Sequence, residues 1–354
     1  MYYRTDNPHG GDIYDPTEPV VLDFSASVNP LGTPEAVLSA AHTSLRETWR
    51  YPDPFCRELT AAIAAREGVP CSRVLCGNGA SELIYAWCAA ARPRSAAETA
   101  PCFTEYARAL GRVGCVPERY APDPDRDFLP DTGLLDFLRE KRPDALFLCD
   151  PNNPTGRRFP PELLHQVLVL CREQGTRVFL DRCFIELSDG WDDPSPDCGE
   201  FPNLTVLGAF TKSHGMAGLR LGWCVSGEEA LLRDMAEACP PWNVSSVAQA
   251  AGIAAARDRE FPRLARDLIR RERPAFRASL EALGFRVIPS ETNFLLFRGP
   301  AELAPKLRGR GIGLRDCANF PGLAPGWYRA AVRKHGEWKA LMQAIKEELW
   351  RETS

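Results

Sequence analysis

Between residues 57 and 240 the chain alternates helical stretches with short apolar runs, and that alternation limits the fold more than any other feature. Helical patterns cover 58–66, 81–91, 105–113 and 160–174. Between and after them stand the apolar runs 73–76, 144–149, 176–180 and 204–207. Strands covered by helices on both faces read as continuous apolar runs, so the pattern predicts an α/β fold with a mainly parallel sheet. After Pro240-Pro241 the texture changes. Residues 248–256 and the arginine-rich 261–283 read as helices. Residues 285–289, 293–297, 313–315 and 328–332 read as strands, and 337–350 as a closing amphipathic helix. Three parts are therefore expected: an extended arm over 1–34, a large α/β domain over 35–242 and a smaller α+β domain over 243–354. A chain of 354 residues is long enough for two domains.

The net charge of -4 argues against a broad nucleic-acid or anionic-membrane surface, while leaving room for a local basic pocket. No apolar run reaches the length of a membrane span. The N-terminal residues lack the apolar stretch of a signal peptide, so a cytoplasmic location is expected. The thirteen cysteines are scattered, with no CxxC pair and no Cys/His cluster at zinc spacing. They read as small buried hydrophobes in a reducing compartment, and no metal site is expected.

In open α/β sheets, ligands sit at the carboxyl ends of the strands. Four features fall there. One is Gly77-Asn78-Gly79-Ala80-Ser81-Glu82, leading into a helix. The second is Asp150-Pro151-Asn152-Asn153-Pro154-Thr155-Gly156, and the third is Asp181 at the end of Val178-Phe179-Leu180. The fourth is Lys212, after the strand-like run 205–211 and before the glycine-rich run 213–218. Only six of the 43 basic residues are lysines, so surface charge is supplied by arginine and a lysine in this uncharged setting asks for a reason. An amine at a strand end, near other cations and partly desolvated, has a lowered pKa and can form a Schiff base. Arg220 follows eight residues on. The Gly77-Asn78-Gly79 turn is a poor dinucleotide fingerprint, since Glu82 stands where the third glycine belongs.

In this order and spacing, Asn-Pro-Thr-Gly, a strand-end Asp and Lys212 with Arg220 resemble the fold-type I pyridoxal 5′-phosphate (PLP) enzymes, the aspartate aminotransferase superfamily. The resemblance spans essentially the whole chain. It implies the three-layer PLP-dependent transferase fold and a cofactor joined to Lys212. It further implies that Asp181 pairs with the ring nitrogen, Asn153 with the ring hydroxyl, and Phe103 stacks on the ring. Ala80 and Ser81 would offer backbone N–H groups to the cofactor phosphate, with Thr211 and Arg220 completing the cup. Tyr51 matches a tyrosine that reaches the phosphate of a partner subunit, which implies a homodimer with shared sites. Arg329 matches the arginine that grips a substrate carboxylate.

Three segments, 7–12, 22–32 and 314–323, are similar to the threonine-phosphate decarboxylase branch, close relatives of histidinol-phosphate aminotransferases. That branch converts L-threonine O-3-phosphate to aminopropanol phosphate and CO2 in cobalamin biosynthesis. Arg315 would hold the substrate phosphate, with His9 and Asn29 nearby. The alternative implied by the same resemblance is an aminotransferase of the histidinol-phosphate type. The chain departs from the family pattern in places. Arg182 and Cys183 follow Asp181 where Glu-Ala is usual, Phe184 stands where aminotransferases carry a tyrosine, Ser27 replaces an asparagine and Ala209 a serine.

Overall fold

The computed structural model describes residues 9–353; Asn7, Pro8 and the rest of the expected arm's first eight residues lie outside it. A seven-stranded sheet runs, edge to edge, through Val74–Gly77, Gly222–Ser226, Leu204–Gly208, Arg177–Asp181, Ala145–Cys149, Ala96–Thr99 and Pro117–Tyr120. All neighbours are parallel except Gly222–Ser226, which is antiparallel to both strands beside it. Successive side chains of a strand point to opposite faces. Accordingly Leu146, Leu148, Val178 and Leu180 enter one apolar cluster, while Ala145, Phe147, Cys149 and Phe179 enter another. Helices cover both clusters, which makes the expected three layers. Among the described residues no helix is long and apolar enough to cross a membrane.

Three strands escape the apolar-run reading. Ala96–Thr99 is fully buried but made of Ala, Ala, Glu and Thr; Glu98 is tolerated inside because Arg119 donates to it at 2.8 Å. Pro117–Tyr120 is the sheet edge, where a proline costs no ladder hydrogen bond. Gly222–Ser226 is hidden behind the glycine-rich segment that precedes it.

A second, antiparallel sheet runs Arg315–Asp316, Trp327–Ala331, Phe294–Arg298, Arg286–Val287. The helices Glu260–Glu281 and His335–Thr353 pack against it, with Phe276, Phe297, Tyr328 and Trp338 in its core. The expected strand over 313–315 is two short ones. Ile312–Gly313 pairs with Leu22–Asp23, and Arg315–Asp316 pairs with Trp327–Ala331.

Two features bear on the expected division into parts. Within the expected arm, Leu22 and Leu31 lie against the second core and Phe24 is wholly buried in it, and Leu22–Asp23 pairs as a strand with Ile312–Gly313. The helix Ser246–Arg257 falls by sequence position in the expected small domain. Its Ala248, Ala251 and Ala255 instead share a core with Val37, Leu59 and Ile63 of the large unit. Alanines on one helix face permit that close approach. We propose that the division between the units falls after Arg257.

Candidate active site

The strand ends and the second sheet meet around a cavity of ≈ 280 Å³. Eleven of the thirteen expected site residues line it: His9, Ala80, Ser81, Phe103, Asn153, Asp181, Thr211, Lys212, Arg220, Arg315 and Arg329. They come from points as far apart as 9 and 329 in the chain, and the carboxyl ends of four parallel strands bring most of them together.

Lys212 lies in a one-turn helix, Phe210–Ser213, directly after Leu204–Gly208. Its amine faces the Phe184 ring at 5.5 Å. Burial, with the Arg329 charge adding to it, pulls its pKa down to about 8. Near neutral pH a useful fraction is thus the free amine. Asp181 ends its strand with both carboxylate oxygens engaged. The Tyr106 hydroxyl donates to Oδ2 at 2.7 Å, and the Cys183 backbone N–H to Oδ1 at 2.9 Å.

One wall is a helix N-terminus. Ala80–Ala91 begins without a side-chain cap, so its first N–H groups remain open to a ligand. Two glycines clear the approach. A Cβ on Gly222 would sit 2.6 Å from the Ala80 nitrogen, and one on Gly79, at φ +82°, would sit 2.4 Å from Arg220 Nη2. Arg220 itself has φ 56°, a conformation that a non-glycine residue adopts only under outside constraint.

The opposite wall carries two arginines. Arg315 and Arg329 are direct partners across an antiparallel strand pair, so they project from the same face. Both are nearly buried, at 8% and 7% exposure. Arg329 donates to Asn153 Oδ1 and, at 2.9 Å, to the Ser25 carbonyl. Its Nε is buried without a partner. Burial, and less so the Arg315 charge, lowers its pKa to about 10. Arg315 donates to the Asp316 carbonyl and to Asn319 Oδ1 at 2.8 Å, and burial lowers its pKa as well. His9 Nε2 lies 2.8 Å from Glu105 Oε1, and Tyr85 also donates to Glu105 at 2.8 Å. Burial opposes ionisation of Glu105, but these donors outweigh it and hold its pKa below the usual value.

Two expected residues lie elsewhere. Asn29 is buried but does not line the cavity; its N–H donates to the Lys212 carbonyl at 2.9 Å and its amide to the Ser213 carbonyl at 2.6 Å. It shapes the turn that carries the lysine, and its Oδ1 accepts the Leu31 N–H at 2.8 Å. Tyr51 is 76% exposed, stacked on Trp242 at 4.7 Å. Sequence reading missed Tyr106, Glu105 and Asn319. Tyr106 and Glu105 sit one turn beyond Phe103, a position that only the docking of their helix turns toward the pocket. Among the described residues no group of His, Cys, Asp or Glu could hold a metal ion.

A family model for class I and II aminotransferases matches residues 19–345. The threonine-phosphate decarboxylase of Salmonella typhimurium is 33% identical over 351 residues, 96% of each chain. The histidinol-phosphate aminotransferase of Sphingopyxis alaskensis is 35% identical over 345 residues, 93% of this chain and 91% of the relative. The crystal structure of the histidinol-phosphate aminotransferase from Clostridium acetobutylicum superposes with a TM-score of 0.84 at 26% identity, covering 92% of this chain and 98% of the other.

Proposed function

The chain belongs to the class I and II aminotransferase family, whose cofactor is pyridoxal 5′-phosphate, and from that premise we propose that it decarboxylates a phosphorylated amino acid, L-threonine O-3-phosphate. The pocket's own features support the cofactor fit. They are an uncapped helix start with no room for a Cβ at Gly79 or Gly222, a lysine with a lowered pKa, and a carboxylate held by two donors. Lys212 would anchor the group covalently. Ala80, Ser81, Thr211 and Arg220 would hold its phosphate, Asp181 would keep a proton on its ring nitrogen, and Phe103 and Asn153 would fix the ring. When bound, PLP supplies an electron sink for the pair left on Cα.

The observation that carries the substrate reading is the Arg315–Arg329 pair. Like charges directly opposite on a strand pair repel, and burial makes each more costly to keep charged. A ligand with two anionic ends relieves both. Threonine phosphate has them: Arg329 would take the carboxylate in its fork and Arg315 the phosphate, with His9 held alongside by Glu105. By holding the carboxylate, Arg329 would fix the orientation of the substrate's Cα, which decides whether CO2 or the Cα proton is lost, and the Lys212 amine would act as the base in the second case. Phe184 beside Lys212 offers no hydroxyl to the ring oxygen, a further point for the lyase.

The aminotransferase reading is favoured by the 35% identical relative. Histidinol phosphate has one anionic end and would leave the second arginine for the co-substrate. Purified holoenzyme with threonine phosphate decides between them: CO2 release without a keto acid supports decarboxylation. Keto-acid-dependent amino transfer, with no CO2 from any phosphorylated hydroxy-amino acid, overturns it.

We further infer a homodimer. Trp49, Tyr51 and Phe55 are close in the chain and all strongly exposed, and Tyr51 stacks on the exposed Trp242, apolar surface of the kind a second subunit covers. Sedimentation at micromolar concentration tests this; a monomer there would remove the shared site. The thirteen unpaired cysteines support a cytoplasmic location.

A further inference from the structure

A second cavity, of ≈ 690 Å³, shares Cys183 and Ala209 with the active-site pocket and opens on the far side of the turn that follows Asp181. Its wall includes Arg182, one of the departures from the family pattern. Arg182 is only 6% exposed, and its Nε is buried without a partner. Among the described residues no hydrogen bond or ion pair engages its guanidinium. An arginine cannot shed its charge as a buried lysine can, so a buried guanidinium calls for an acceptor.

The neighbouring acids each have another arginine or a backbone group beside them, although Asp150 Oδ2 and Glu186 Oε2 remain without a hydrogen bond. Asp150 accepts the Phe159 N–H at 3.1 Å and lies 3.5 Å from Arg158; Asp193 pairs with Arg158 at 2.6 Å. Glu186 pairs with Arg66. Glu67 lines the cavity too; burial, reinforced by the charge of Glu186, pushes its pKa up, against the pull of Arg66 and Arg182. A second arginine on the same wall is in a similar position. Arg266 is 2% exposed, stacks on Trp191 at 3.8 Å and donates through Nη1 to the Glu186 carbonyl at 2.6 Å. Its Nη2 is buried and unpartnered. Two nearly buried arginines, each with one guanidinium nitrogen left without a partner, thus line one cavity large enough for a small metabolite.

We propose that this cavity is an effector site for a small oxyanion, a carboxylate or phosphate group bound by Arg182 and Arg266. The site is separate from catalysis but mechanically close to it. Arg182 follows Asp181 in the chain, and its backbone N–H is bonded to the Leu207 carbonyl at 2.9 Å, on the strand that leads to Lys212. An anion drawing Arg182 toward the cavity therefore acts on the two residues that grip the cofactor from opposite ends. The inference stands whether the enzyme is a lyase or an aminotransferase.

The test uses PLP-loaded protein with selenate as a tetrahedral probe and malonate as a carboxylate probe. Crystals soaked in selenate should show anomalous density within hydrogen-bonding reach of the Arg182 guanidinium, distinct from any at Arg315. In solution one or both probes should shift the cofactor absorbance saturably, the stronger one identifying the chemistry. Arg182→Met should remove that density and weaken the saturable shift by at least about tenfold, the loss of one charge-assisted contact. Should that variant fail to fold, Arg266→Met reads the same site from its other donor. Density at Arg315 or Arg329 but only water beside Arg182, or Glu67 swung onto Arg182, overturns the proposal. So does a spectral shift that both variants retain in full.

Discussion

Replacing Arg315 with glutamine separates phosphate recognition from the rest of the pocket. The side chain is nearly buried, faces Arg329 across the strand pair, and already gives one donor to Asn319 and one to the Asp316 carbonyl. Those bonds orient its fork, so little rotamer freedom is lost when a phosphate arrives. A hydrogen bond to a charged partner contributes about 1.5–3 kcal/mol. At about 1.4 kcal/mol per factor of ten, Arg315→Gln should lower kcat/KM for threonine phosphate by roughly ten- to a hundredfold. Removing one of two facing charges should also relieve about 0.2–1 kcal/mol of repulsion in the substrate-free protein. The variant's holoenzyme should then melt no lower than the parent while gaining less from added substrate. Steady-state kinetics on a phosphorylated substrate and its unphosphorylated counterpart, with melting curves for each, check both signs. An unchanged kcat/KM for the phosphorylated substrate, or an equal loss for both, refutes the assignment of Arg315 to the phosphate.

The remaining expectations concern the cofactor end. With the Lys212 pKa lowered from 10.5 to about 8, capture of PLP by the apoprotein should speed up with pH and level off above about 8; a rate still climbing near pH 10 would show an ordinary lysine, and Lys212→Ala should abolish the visible band of the lysine-bound cofactor. Gly79→Ala places a side chain at φ +82° and against Arg220, a strain of about 1–3 kcal/mol, so PLP titration should show affinity reduced about tenfold; unchanged affinity would mean that Arg220 is not part of the cup. Tyr106→Phe deletes only the hydroxyl bonded to Asp181, within a ring stack on Phe147 that survives. Urea unfolding of the apoprotein should show a loss of about 1.5–3 kcal/mol, and no loss would argue that the bond does not persist in solution.

Which parts of this molecule were legible in advance follows from how far apart the cooperating residues lie. An apolar run that ends in a polar residue is a local signal, and it located Lys212, Asp181 and Asn153 at strand ends, where the sheet delivers ligands. Helices at 58–66, 81–91 and 160–174 were likewise set by periodicity over a few turns and stand within a residue or two of Arg57–Glu67, Ala80–Ala91 and Pro161–Gln174. Local patterns failed where burial rests on a distant partner. Ala96–Thr99 is an interior strand because Glu98 meets Arg119, and the alanines of Ser246–Arg257 join the large core because Val37, Leu59 and Ile63, from segments far earlier in the chain, pack with them there.

Position and partnership of the arginines show the same division. Sequence determined that Arg315 and Arg329 exist near strand-like segments. Only the strand register made them face each other, and only folding brought Arg329 to Asn153, 176 residues away, and Tyr106 to Asp181, 75 away. Asn29 shows the reverse: a residue that resembled a ligand is spent on the backbone of the turn carrying Lys212. Sterics and side-chain periodicity act between near neighbours and are written in the chain. Which buried polar groups find partners, and which, like Arg182, are left facing a cavity, is decided by packing between segments that the sequence lists far apart.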